Sequence, residues 1–138
     1  MKRFEVLDHT ADVGIRAYGR SREEAFANCA LGMMSLILDV ESVEPRERRH
    51  VAAEASGLEE LLVRWLSEIL FLVEAEGWAF GDFEVREVTE RQAEGWGLGE
   101  PLDTGKHKVS GEIKAPTYHM LSFGEDNGIW IAQVIFDV

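Results

Sequence analysis

Hydrophobic and polar positions alternate at the start of the chain. Phe4 and Val6, then Val13, Ile15 and Ala17, are separated by the polar run Asp8, His9, Thr10. A period of two sends successive side chains to opposite faces, so the pattern predicts a strand, a tight polar bend and a second strand. After Ser21 the period changes. Phe26, Cys29, Ala30, Met33, Met34 and Ile37 recur at three- and four-residue intervals, which predicts an amphipathic helix over about residues 22–38. Ser21 with Glu24 matches a capping box, in which hydroxyl and carboxylate each satisfy a free main-chain N–H. Pro45 marks the exit. Leu58, Leu61, Leu62, Trp65, Leu66, Ile69, Leu70 and Val73 predict a second helix over about residues 58–75, with Ser56 and Glu59 as another capping box and Gly77 as its stop. Its apolar stripe is wide enough to lie against a sheet near the centre of the core.

The remainder reads as β-structure. Arg46, Arg48, Arg49 and His50 run into Val51 and Ala53 as an edge strand or extended arm. Phe80, Phe83, Val85 and Val88 suggest one strand, Trp96 and Leu98 a shorter one, and Gly99 to Gly105 a loop. Val109 to Ala115 and Tyr118 to Phe123 flank Pro116 as two further extended segments. Asp126-Asn127-Gly128 forms a turn, and Ile129 to Phe136 is the most apolar strand in the chain. With no repeat, low-complexity stretch or linker, residues 1–138 are read as a single α+β domain, two helices packed on a mainly antiparallel β-sheet.

Charge narrows the class of partner. The chain carries 26 acidic against 14 basic side chains, a formal net charge of −12. Nucleic-acid affinity comes mostly from Lys and Arg neutralising phosphates, so no direct nucleic-acid binding is expected, and no binding to anionic membranes. A cation, or a basic face on another protein, suits such a surface better. Cys29 is the single cysteine, which excludes an internal disulfide and points to a reducing, cytoplasmic setting. Neither a secretory signal nor a membrane-spanning run is legible.

Three short stretches could carry chemistry. Asp8 and Asp12 lie in the polar bend, where a turn would gather carboxylates at a sheet end; they are read either as hard oxygen ligands for a divalent cation or as turn residues bonding nearby N–H groups. The strand Ile129–Phe136 delivers Asp137 and the Val138 carboxylate side by side, a pair that calls for a cation or basic partner unless solvent screens it. Lys114, Ala115, Pro116, Thr117, Tyr118, His119 forms the third. Lys114 could meet a phosphate or those carboxylates, or simply blunt an edge strand; His119 could be a ligand or base, or an ordinary hydrogen-bonded histidine. Gly95, Gly97 and Gly99 precede a loop and not a helix, so they form no dinucleotide fingerprint. His50 and His107 lack ligand spacing, and Cys29 falls on an apolar helix face, where packing is its expected role.

Taken together, Asp8-His9-Thr10-Ala11-Asp12-Val13-Gly14, Lys114-Ala115-Pro116-Thr117-Tyr118-His119 and the closing Asp137-Val138 resemble the archease family over essentially the whole chain. The resemblance implies a non-catalytic activator of an RtcB-type tRNA-splicing RNA ligase, promoting GTP-dependent guanylylation and multiple turnover of that partner. It also implies a divalent metal (Ca, Mg or Mn) on Asp12, Asp137 and Val138, with Asp8 and His9 in support, and contact with a phosphate or the partner through Lys114 and His119. A second role ascribed to such proteins is chaperone-like modulation of RNA-modifying enzymes, such as a tRNA methyltransferase. A metal-dependent hydrolase using Asp8, His9, Asp12 and His119 is the remaining alternative. Nothing in the motifs assigns a role to the stretch from about Gly77 to Gly105.

Overall fold

The computed structural model describes residues 1–8 and 12–138. Strands β1 (Phe4–Asp8) and β2 (Val13–Gly19) form the antiparallel pair that the alternating pattern predicts. Helix α1 follows at Arg22–Ser35, then a single 3-10 turn at Val40–Ser42, strand β3 (Glu47–Glu54) and helix α2 (Leu58–Glu76). The rest is β4 (Trp78–Val88), β5 (Gln92–Pro101), β6 (Ala115–Pro116), β7 (Ser122–Asp126) and β8 (Ile129–Asp137).

These strands make two antiparallel sheets where one was expected. In the larger, β8 is central: β2 flanks it on one side with β1 outside, and both β6 and β7 pair with its other edge. The smaller sheet runs β3-β5-β4. The basic segment before Val51 is therefore an edge strand. Its charges find partners on the same protein: the Arg48 guanidinium lies 4.3 Å from the Trp96 ring centre, and that of Arg49 lies 4.5 Å from Trp78.

Helix α1 departs from the expected amphipathic pattern. Every residue from Ala25 to Met34 is buried, because the helix packs on β1, β2 and β8 of one sheet and on β4 of the other. Small residues permit the close approach; a Cβ on Gly32 would lie 2.7 Å from the Ile15 Cγ2 methyl. The buried Asn28 is satisfied on both atoms. Its amide donates to the Tyr18 carbonyl (2.7 Å) and its oxygen accepts from Arg3 Nε (2.7 Å). Cys29 is buried in this layer, and burial pushes its thiol up to about 12, which fits the packing role expected of it.

The first capping box forms with one change of partner. Ser21 Oγ accepts from the Glu24 N–H at 3.1 Å, but the Glu24 carboxylate reaches one residue further back, to the Arg20 N–H. The second does not form: Gly57 is the N-cap of α2 and makes no side-chain cap bond. At the other end Gly77 stops the helix as expected, with φ 68° and its N–H on the Leu72 carbonyl. The Asn127-Gly128 pair, both at positive φ, makes the tight β7–β8 turn.

Two expected β-segments change. Strand β5 does not stop at Leu98 but continues through Gly99 to Pro101. Of the segment Val109–Ala115, only Ala115 joins β8, continuing with Pro116 as β6, and Val109 makes one isolated bridge to Leu38. Residues 118–120 turn, and the strand begins instead at Ser122. Pro116 lacks an N–H to extend a ladder. The turn is also set by Thr117, whose N–H and hydroxyl both donate to the Ile135 carbonyl, at 2.9 and 2.8 Å.

Candidate functional site

Register alone gathers the singled-out residues at one end of the larger sheet. Val13 pairs with Phe136, which places Asp12 at the β2 end beside Asp137 at the β8 end. On the other side of β8, Ala115 pairs with Asp137, and the Lys114 N–H donates to the Asp137 carbonyl at 2.8 Å. The apolar β8 strand holds this end down: Val134, Ile135 and Phe136 are all at most 2% exposed, immediately before the exposed Asp137.

A shallow cleft opens there, lined by Asp12, Thr117, His119, Ile135, Phe136 and Asp137. Asp12, His119 and Asp137 thus come together although more than 100 residues separate the first from the last. Val138 directly follows. Its side chain is half exposed. The Thr117 hydroxyl also accepts from the His119 N–H at 3.3 Å, tying the histidine's main chain to the strand end.

Other expected residues lie differently. Asp8 is exposed at the end of β1, paired with Val13, and is not part of the cleft wall. Lys114 is placed next to Asp137 through its main chain, and its side chain does not line the cleft. His9 lies outside the described residues. Thr117, which sequence reading passed over, lines the cleft and positions its rim; a threonine beside a proline carries no distinguishing signal.

The chemistry of this end is that of hard oxygen donors, two aspartates and a hydroxyl. Among the described residues no three His, Cys, Asp or Glu side chains converge as a metal site. A cation here would therefore need donors beyond the Asp12 and Asp137 side chains. Such all-oxygen sets suit Ca²⁺, Mg²⁺ or Mn²⁺ over softer metals.

A second polar cluster was not legible from spacing. The almost fully buried Glu100 accepts from the Glu44 main-chain N–H (2.9 Å), from His107 Nε2 (2.8 Å) and from Lys106 Nζ (3.1 Å). The Asp103 N–H donates to His107 Nδ1 at 3.0 Å, which leaves Nε2 as the protonated nitrogen facing Glu100. The Glu44 N–H, with His107 and Lys106 behind it, holds the Glu100 carboxyl at about 2. This network ties the loop after β5 to the segment after the 3-10 turn, so its role is structural. A carboxyl whose folded pKa is lowered contributes stability above its ordinary range, near 4.5, and loses it as pH falls towards about 2. Glu100→Gln is accordingly expected to melt below wild type at pH 7, with the gap narrowing as pH falls from about 4.5 to about 2; thermal melts across that range check it.

Fold and site together define a class: an α+β protein of two antiparallel sheets and two helices that presents carboxylates at a sheet end. The sequence matches the Archease protein family (MTH1598/TM1083) over residues 4–138. It is 44% identical to Protein archease of Thermococcus gammatolerans, covering 100% of both chains, and 40% identical to that of Methanosarcina mazei, covering 99% of this chain and 97% of the other. The solution structure of protein 1598 from Methanobacterium thermoautotrophicum superposes with a TM-score of 0.84 at 35% identity over 100% of each chain. A crystal structure from Thermotoga maritima described as an archease, possible chaperone shares the fold, with a TM-score of 0.62 at 22% identity over 96% of this chain and 94% of that one. The chain belongs to the archease family.

No helix is long and apolar enough among the described residues to cross a membrane.

Proposed function

We propose that this protein is a cytoplasmic, non-catalytic activator of an RtcB-type RNA ligase, and that it works through the carboxylate end of the larger sheet. The observation that carries the reading is the meeting of Asp12, His119 and Asp137 in one cleft beside Val138. Asp12, Asp137 and the Val138 carboxylate would hold a divalent cation, with Asp8 and His9 in support. Bound there, a cation supplies Lewis-acid stabilisation of charge that develops on a transferring phosphoryl group. His119 stands on the cleft wall, facing the partner or its phosphate, and Lys114 contributes a positive charge to the same end. GTP enters through the ligase, whose guanylylation the protein promotes.

The net charge of −12 supports this division of labour. A protein this acidic meets an RNA-processing enzyme through that enzyme's basic surface and speeds encounter by charge complementarity, leaving RNA contact to the enzyme. The test is a ligation assay with a purified RtcB-type ligase, GTP, Mn²⁺ and exon-half RNA, with and without this protein. Faster guanylylation and several turnovers per ligase are expected only in its presence; an unchanged single turnover would overturn the reading. The name possible chaperone given to the Thermotoga protein favours a second reading, modulation of RNA-modifying enzymes such as a tRNA methyltransferase. Suppression of aggregation that persists in Asp12→Ala and Asp137→Ala would support it.

A further inference from the structure

Next to the cleft, the Tyr118–Met120 turn leaves large apolar side chains in water. Tyr118 is 64% exposed, Met120 54% and Val138 53%, and His119 between the first two lines the cleft itself. Met120 adopts φ 54°, the left-handed region that glycine or asparagine fills when a turn is all that is required. A thioether side chain in that conformation, unburied by its own chain, points to a surface completed by something else.

The turn is nevertheless held in place. Gln133 Nε2 donates to the Met120 carbonyl at 3.0 Å, and the Leu121 N–H donates to that of Tyr118 at 3.3 Å. Gln133 is itself oriented, its Oε1 accepting from Arg16 Nε at 3.1 Å and Nη2 at 2.6 Å, while Arg16 Nη1 lies 3.5 Å from Glu5. A strut of Glu5, Arg16 and Gln133 thus crosses β1, β2 and β8 and ends on the turn. Holding the backbone in this way lowers the entropy that docking would otherwise have to remove.

We propose that the Tyr118–Met120 turn is an apolar anchor that seats the carboxylate end in a recessed, cationic pocket of a partner protein, and that Gln133 positions the anchor. Charge and shape select that occupant. The centre of the surface is carboxylate and its rim is aromatic and aliphatic, so the complementary face is a positive recess with an apolar margin. Phosphate-rich RNA is disfavoured by the chain's net charge of −12, and side chains that project outward enclose no small molecule. Aromatic and methionine side chains at the margin of a charged centre are the composition from which interface anchors are drawn. The proposal rests on the functional reading above, with the ligase as partner.

Titration calorimetry and stimulation titrations with the purified RtcB-type ligase and Mn²⁺ test it, using Tyr118→Ser, Met120→Gly and Gln133→Glu. Glycine tolerates φ 54°, so Met120→Gly removes the side chain and keeps the turn. Gln133→Glu still accepts from Arg16 but no longer donates to Met120. Each variant is expected to weaken binding at least about tenfold and to raise the concentration for half-maximal stimulation in step, with the saturated rate retained and the melting temperature near wild type. Variants that bind as tightly as a stimulating wild type would overturn the anchor and leave the functional reading standing. A lower saturated rate at unchanged affinity would also overturn it, placing the turn in the chemistry. Wild type that neither binds nor stimulates would overturn both, and a dimer dissolved by Tyr118→Ser would assign the surface to a second copy.

Discussion

On the proposed function, Asp137→Ala is expected to cut stimulation of the ligase by roughly 100-fold or more, because removing a carboxylate that would ligate the cation costs at least as much as removing its supporting partners. Asp12→Ala should match it, since register places the two at one strand end and in one cleft. Neither change should unfold the protein. Both side chains are exposed, and the bonds that fix β8 to β6, including Lys114 N–H to the Asp137 carbonyl, are main-chain bonds that alanine preserves. Surface replacements of this kind usually shift stability by no more than about 0.5 kcal/mol. Lys114→Ala should likewise lose stimulation with its melt unchanged, for the same reason. Asp8→Ala, outside the cleft wall, should lose only about tenfold. Added Ca²⁺ or Mn²⁺ gives an independent readout: a ligand that binds only the folded state raises the melting temperature, so a rise is expected in wild type and none in Asp12→Ala and Asp137→Ala. Full stimulation by Asp12→Ala, Asp137→Ala and Lys114→Ala would overturn the site.

What the sequence disclosed, and what it hid, follows from the range over which each signal acts. Both helices, the β1–β2 pair and the Asn127-Gly128 turn were legible because each is written in a window of a few residues. Asp12 and Asp137 were recognisable as acids at strand ends. That they share one cleft depends on Val13 pairing with Phe136, a register no local pattern contains. The full burial of α1 was hidden for a similar reason: periodicity reports one apolar face, whereas two sheets cover this helix. Glu100 fell within a predicted loop and His107 showed no ligand spacing, because a buried ion network leaves no periodic trace. The failed capping box at Ser56 shows the converse, a local motif overruled when Gly57 takes the cap.

The stretch from Gly77 to Gly105 finds its explanation in close packing, and Gly99→Ala tests it. Gly95, Gly97 and Gly99 alternate with Trp96 and Leu98 along β5, so all three face the same side of the small sheet. On that side β4 folds over them. A Cβ on Gly97 would lie 2.6 Å from the Phe80 ring. One on Gly99 would overlap the Ala79 carbonyl oxygen and stand 3.0 Å from Phe80 Cα. One on Gly95 would overlap the Glu84 carbonyl oxygen. The two register shifts in β4, between Phe80 and Asp82 and between Val85 and Glu87, fall beside Gly99 and Gly95, so β4 coils into the space their missing side chains leave. A ring such as that of Phe80 can turn aside, but a paired backbone cannot move without breaking its ladder. Gly99→Ala is therefore expected to destabilise the protein by about 3 kcal/mol or more, the upper end of what overpacking costs. For a chain of this length that lowers the melting temperature by roughly 10 °C. Gly124→Ala is the matched control, a strand glycine with nothing within 4 Å of its built Cβ, and should melt near wild type. Equal melts for the two variants would show that β4 and β5 separate freely at Gly99, and the glycine stripe would then need another explanation.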